Sequence, residues 1–223
     1  MKPQDQNFAE FFSKHGRKMT FKKGEIIIRS DNPPTGVYFI EDGYVRIYSI
    51  TEDGESKLHI IYKPGEIFPL VWAVRNIRKN VYYEAMGNVT LLKVSKTAFI
   101  DFISSTKNNM NALLERMANV FNIHIDRIDN LEITKSYPRL ISRLLSIARR
   151  FGQECKETNT IIIKAPITQN DIANSIAMTR ETTSREISRL EKKGLIEYKE
   201  HLIIIKSLQK LKKELSEYYE NRI

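Results

Sequence analysis

The stretch Ile167–Ile196, ITQNDIANSIAMTRETTSREISRLEKKGLI, reads as two short helices joined by a tight turn. Thr168 can cap the first helix, with Asp171 three residues on in a capping-box position, and Ile172, Ala173 and Ile176 recur at helical spacing. The pattern restarts at Thr179, a second N-cap. Thr183, Ile187 and Leu190 then fall at i, i+4 and i+7, and Gly194 stands where a C′ glycine ends a helix. Each helix therefore buries one face. The other face of the second helix carries Arg180, Glu181, Ser184, Arg185, Ser188 and Arg189. A guanidinium bonds bidentately to guanine O6 and N7, a carboxylate accepts from cytosine N4, and the first residues of a recognition helix are those that reach base edges. A solvated face with a Glu181–Arg185 pair would carry the same charges. The two-helix pattern favours DNA reading, with Arg180, Glu181 and Arg185 facing bases and Thr168, Gln169, Thr179, Ser184 and Arg189 as further contacts.

Downstream, Leu195–Tyr198 and Leu202–Lys206 flank Lys199-Glu200-His201 as a β-hairpin, and Leu208, Leu211 and Leu215 mark a closing helix capped by Ser207. The pair thus reads as a winged helix-turn-helix. Upstream, Arg139–Phe151 is amphipathic through Leu140, Leu144, Leu145 and Ala148, followed by a polar loop, Gly152 to Thr160, and a strand, Thr160–Lys164. Ser136-Tyr137-Pro138 is expected to break the preceding helix, because the residue before a proline is pushed out of the helical region. In that helix Met110, Leu114, Met117, Phe121, His124, Ile128 and Leu131 alternate at four and three, a heptad seam that buries itself against a copy of itself. Leu113, Val120 and Ile123 offer a second stripe to cover the N-terminal domain. A homodimer is expected; a long helix lying on its own β-domain is the alternative. His124 in the seam reads as a solvated position or as a pH-responsive one.

The N-terminal half differs in period. FAEFFSKHGRK (8–18) suggests a short amphipathic helix, after which alternating apolar runs, Glu25–Arg29, Gly36–Ile40, Tyr44–Ile50 and Lys57–Tyr62, are punctuated by turn signals such as Asp42-Gly43, Asp53-Gly54 and Pro64-Gly65. Short strands so spaced suggest a jelly roll. A jelly roll can also house a cupin-type metal enzyme. His15, His59, His124 and His201 are scattered without paired spacing, however, and no Walker loop, nucleophile elbow or Cys/His constellation occurs. No catalytic residue and no metal ligand is expected.

With 223 residues, 41% of them apolar, the chain can bury a sizeable core in one or two domains. Its formal charge is +9, of which residues 136–223 contribute +6 (17 Lys+Arg less 11 Asp+Glu). This bias points to a polyanionic partner, DNA or an anionic membrane surface. No apolar run approaches the about 18 residues of a membrane span, and the N-terminus lacks a signal-peptide core. The chain is therefore expected in the cytoplasm, without membrane contact. Its one cysteine, Cys155, cannot pair within the chain or supply the about four ligands of an iron–sulfur cluster. An incidental loop thiol is favoured over a reactive sensor.

TRETTSREISRLEKKGLI, with R-E-T-x-x-R at Arg180, Glu181, Thr182 and Arg185, resembles the recognition helix of the cyclic-AMP receptor protein and fumarate-nitrate regulator (Crp/Fnr) family of bacterial transcription factors. FKKGEIII, GVYFIEDGYVRIY and DGESKLHIIYKPGEIF resemble that family's cyclic-nucleotide-binding β-roll, with Gly43 and Gly65 at its turn glycines. The resemblance covers nearly the whole chain. It implies an α+β architecture: a β-roll sensor (1–108), a dimerisation helix and hinge (109–136), and a winged helix-turn-helix (137–223). Double-stranded DNA, a second copy of the chain and RNA polymerase are the partners it implies.

The chain departs from the family where cyclic AMP binds. Members that bind it hold the ribose with a Gly-Glu pair and the cyclic phosphate with an Arg-Ser pair further on; here these positions are Pro69-Leu70 and Asn80-Val81. A buried phosphate without its cation is costly. Arg75, Arg78 and Lys79 lie nearby, in an expected loop and out of register. Phe68, Trp72, Tyr82 and Tyr83 replace the polar lining, either surrounding a flat apolar effector or filling the pocket; filling is favoured. No cofactor is expected, cyclic AMP least of all, and any effector is unidentified. The chain reads as a homodimeric, sequence-specific transcription regulator. The alternative is a ligand-binding module whose basic domain meets protein or membrane.

Overall fold

Residues 3–155, 157–158, 160–199 and 202–220 are described in a computed structural model. Glu200 and His201, at the tip of the expected wing, lie outside them. The chain folds as two compact units, Met1–Ile123 and His124–Ile223.

The first unit runs α1 (Pro3–His15), β1 (Arg17–Phe21), β2 (Ile26–Ile28), β3 (Val37–Asp42), β4 (Val45–Ile50), β5 (Ser56–Tyr62), β6 (Ile67–Phe68), α2 (Leu70–Arg75), β7 (Tyr82–Ala85), β8 (Val89–Val94), α3 (Lys96–Ser105) and most of α4 (Lys107–Glu132). Its strands form two antiparallel sheets, ordered β1-β8-β3-β6 and β2-β7-β4-β5. Side chains alternate across a strand, so β3 sends Val37 and Phe39 to one side and Tyr38 and Ile40 to the other. Both sides are covered. Val37, Phe39, Ile67, Leu92 and Val94 pack with Phe8, Phe12, Phe99, Ile103 and Leu113 from the helices. Tyr38, Ile40, Phe68, Val89 and Leu91 pack with Val45, Ile47, Ile60 and Tyr83 of the second sheet, where Val120 and Ile123 of α4 join them. Gly43 and Gly65 turn the chain at φ +87° and +86°, left-handed values that cost glycine least. A Cβ on Gly43 would also lie 2.4 Å from the Asn88 carbonyl oxygen.

The N-terminal helix differs from expectation, since Gly16, Arg17 and Lys18 leave it. Gly16 bonds to the Phe12 carbonyl at 2.8 Å to close the last turn, and Arg17–Phe21 pairs with Val89–Lys93 as an edge strand.

The second unit contains the end of α4, α5 (Ser136–Phe151), β9 (Gly152–Cys155), β10 (Thr160–Ile163), α6 (Gln169–Ser175), α7 (Arg180–Lys192), β11 (Ile196–Lys199), β12 (Leu202–Ile205) and α8 (Leu208–Glu220). Two expectations need correction. The helix break lies at residues 133–135, and Ser136-Tyr137-Pro138 form the first turn of α5; a proline is tolerated there because the first N–H groups of a helix have no intrahelical acceptor. Residues 152–155 are also not loop. They pair with β10, Ile161 opposite Glu154 and Ile162 opposite Gln153, as the edge of a sheet ordered β11-β12-β10-β9. Being an edge, β9 needs no apolar face of its own, and it shows none.

Candidate nucleic-acid interface

The start of α6 is fixed by a reciprocal cap. Thr168 Oγ1 accepts from the Asp171 N–H at 3.0 Å, while Asp171 Oδ2 accepts from the Thr168 N–H at 3.0 Å. The Thr168 hydroxyl donates to the same carboxylate at 2.6 Å. Beyond Ser175 the chain turns through Ala177, left-handed at φ +50°. Thr179 then caps α7, accepting from the Thr182 N–H at 3.1 Å. Its far end closes in a Schellman arrangement: the Leu195 N–H reaches the Leu190 carbonyl at 3.1 Å, the Gly194 N–H reaches that of Glu191 at 2.8 Å, and Gly194 adopts φ +67°. Both helices thus begin at side-chain caps, and α7 ends at a left-handed glycine.

Ile172, Ala173, Ile176, Thr183, Ile187 and Leu190 are buried. Arg180, Glu181, Arg185, Ser188 and Arg189 are exposed and Ser184 is half-buried, so the free face of α7 carries two cations and one carboxylate in its first turn and a half. The remaining expected contacts divide. The Thr168 and Thr179 hydroxyls are committed to caps, which orients helix ends and their positive dipoles; Gln169 is half-buried beside them. Arg189 is held by its own domain: its guanidinium lies 3.7 Å from the centre of the Tyr137 ring and 3.7 Å from buried Glu186. Sequence reading missed this second network. Tyr137 donates to Glu214 at 2.7 Å and Lys193 Nζ lies 2.5 Å from the same carboxylate, joining α5, α7 and α8. Burial, with the acceptor Glu214, raises the Tyr137 phenol pKa well above its ordinary value. Arg139 adds a clamp, donating to the Ile133 carbonyl at 2.6 Å and to that of Ile176 at 3.1 Å, which ties the helix break to the turn between α6 and α7.

Residues 138–214 match the Crp-like helix-turn-helix domain, and residues 18–106 the cyclic nucleotide-binding domain. Electron transport regulator A of Shewanella oneidensis is 26% identical over 190 residues, covering 85% of this chain and 74% of its own length. The fumarate and nitrate reduction regulatory protein of Yersinia pestis is 22% identical over 195 residues, covering 87% and 77%. The chain belongs to the Crp/Fnr family of transcription regulators. Its fold matches that of FixK2 from Bradyrhizobium japonicum, with a TM-score of 0.76 at 22% identity over 89% of this chain and 96% of that one.

Within the Crp/Fnr β-roll, only two of the four aromatic residues expected to line an effector pocket, Phe68 and Tyr83, come together. Phe68 is fully buried and stacks on Tyr38, Tyr62 and Tyr83 at 5.3, 5.6 and 5.0 Å between ring centres. Tyr82 is adjacent to Tyr83 and so projects from the other side of β7, where it stacks on Tyr48 at 5.4 Å. Trp72, on α2, packs against the helical side of the β1-β8-β3-β6 sheet, with Lys96 5.2 Å over its ring. Arg75 ends α2 instead of lying in the loop, while Arg78, Lys79 and Asn80 are exposed. Tyr38 and Tyr62, the other members of the pile, sit at inward positions of β3 and β5 that alternation alone would assign to one side.

Along α4 the seam is apolar and open. Met110, Leu114, Met117, Phe121 and Ile128 are exposed, Phe121 at 65%, and Leu131 is half-buried. His124 is a correction. It is half-buried, and burial with the nearby Arg127 and Arg150 lowers its pKa; Ile125 takes the exposed position instead, as expected when a straight 3.6-residue helix drifts about 20° per heptad from a 3.5 repeat. Among the described residues no group of three or more His, Cys, Asp and Glu is placed to hold a metal ion, and no helix is long and apolar enough to cross a membrane.

Proposed function

We propose that this Crp/Fnr regulator binds double-stranded DNA as a homodimer, each α7 reading one half of a two-fold site, without cyclic AMP. The observation that carries the reading is the capped, exposed first turn and a half of α7, where Arg180, Glu181 and Arg185 project from a helix whose other face is buried. Arg180 and Arg185 are assigned to guanines and Glu181 to a cytosine. The exposed apolar stripe of α4 supports pairing with a second copy, which would set two recognition helices roughly 34 Å apart along the duplex. The ring pile around Phe68, and the uncharged Pro69-Leu70 and Asn80-Val81 at the nucleotide-holding positions, support independence from cyclic AMP. On this reading the chain carries out no catalysis, works in the cytoplasm and meets RNA polymerase at its promoters, as the family resemblance implies.

The deciding experiment is selection of binding sequences from a random library, followed by affinity measurements across a salt series. The expected result is an inverted repeat with G·C pairs in each half and an affinity that falls steeply with salt, because each neutralised phosphate releases counterions. Enrichment of no two-fold-related motif would overturn the assignment.

A further inference from the structure

The junction of α4 with α5 gathers positive charge that the DNA-reading face does not use. On α5, Arg143 and Arg150 are seven residues apart and share one face; on α4, His124 and Arg127 are one turn apart. The two helices meet where Asn130 Nδ2 donates to Ser146 Oγ at 3.4 Å and Arg149 reaches Asp126 Oδ2 at 3.1 Å. Arg127 also donates through Nε to the Ser175 carbonyl at 3.4 Å, and the Arg150 guanidinium lies 5.3 Å over the Phe151 ring.

Arg143 is the group left over. Its side chain is half-buried, its Nε is closed to solvent and meets no hydrogen-bond partner among the described residues. Burial, then the charges of Arg127 and Arg150, lower its pKa from 12.5 to about 10, with Asp126 opposing them. Asp126 is itself shared with Arg149. A guanidinium so placed leaves its Nε–H closed to solvent without an acceptor, a costly state that an arriving anion relieves.

We propose that the α4–α5 junction is a binding site for a small tetrahedral oxyanion, phosphate or sulfate, held by Arg127, Arg143 and Arg150. Arginine suits this role because its planar fork can offer two parallel N–H bonds to one oxyanion. Occupancy stabilises the C-terminal unit by preferential binding to the folded state.

Calorimetric titration of the full-length protein with inorganic phosphate, and separately sulfate, tests the site, together with melting curves in each anion against chloride at matched ionic strength. The expected result is saturable binding of one anion per chain and a rise in melting temperature beyond that in chloride. Arg143→Gln should weaken phosphate binding at least tenfold, and Arg143→Lys, which keeps charge and fold, should weaken it less. The proposal is overturned if neither anion gives saturable heat, if melting follows ionic strength alone, or if Arg143→Gln binds phosphate as tightly as the parent. It is equally overturned if Arg143→Gln flattens the salt dependence of DNA binding while phosphate gives no heat, for the cluster is then a contact to the DNA backbone.

Discussion

Two arginines one turn apart on α7 are held differently. Arg185 keeps 71% of its side chain exposed, whereas Arg189 keeps 48% and packs on Tyr137. Arg185→Ala should therefore cost about 1–3 kcal/mol on the matching DNA site and relax preference at one base pair. Arg189→Ala should lower the melting temperature, leaving the ranking of sequences unchanged; parallel binding and melting measurements separate the two. Truncation of Phe68, at the centre of three tyrosine rings, to alanine is expected to cost about 3–5 kcal/mol, measured by denaturant unfolding. His124 gives a sign for pH. Its folded pKa is lowered by burial and by Arg127 and Arg150, so below about pH 6.5 the unfolded chain takes up a proton that the folded chain refuses. Stability should fall as pH drops through that window, and His124→Gln should remove this part of the slope.

Helices α6 and α7 were legible because their limits are set by neighbours three or four residues away: Thr168 with Asp171, Thr179 with Thr182, and Gly194 behind Leu190. The spacing of the α4 seam was legible for the same reason. The break at residues 133–135 was not, since a proline at 138 fits the first turn of a helix as well as it ends one. Nor was β9, whose polar residues serve an edge that only β10 reveals. The division of Phe68, Trp72, Tyr82 and Tyr83 among three environments depends on which sheet faces which helix, and local spacing does not encode that. Within α4, glutamates at Met117 and Phe121 would oppose like charges across a two-fold axis in an apolar seam. The double variant should sediment as a monomer and lose most of its affinity for a two-half site, since the halves are no longer held together. A dimeric species by light scattering would contradict the seam.

On the proposed pairing of two copies through Met110, Leu114, Met117, Phe121 and Ile128, which α4 leaves uncovered in one chain, the melting temperature should rise with protein concentration. Calorimetry with cyclic AMP and cyclic GMP should show no saturable binding at micromolar concentration, because each charge-assisted bond missing from the nucleotide positions is worth about 1.5–3 kcal/mol. If specific DNA is bound with no effector added, and no candidate aromatic effector quenches Trp72, cellular abundance becomes the variable that sets promoter occupancy. The arrangement of rings also makes the molecule its own optical instrument. Tyr38, Tyr62 and Tyr83, fixed around Phe68, form a rigid asymmetric array of chromophores whose near-ultraviolet circular dichroism vanishes when the roll loosens. The sole tryptophan, Trp72, lies beyond the sheet from that array and beside Lys96, so its fluorescence reports the helical layer separately. Read together, the two signals follow the roll and its helical layer in one unlabelled sample.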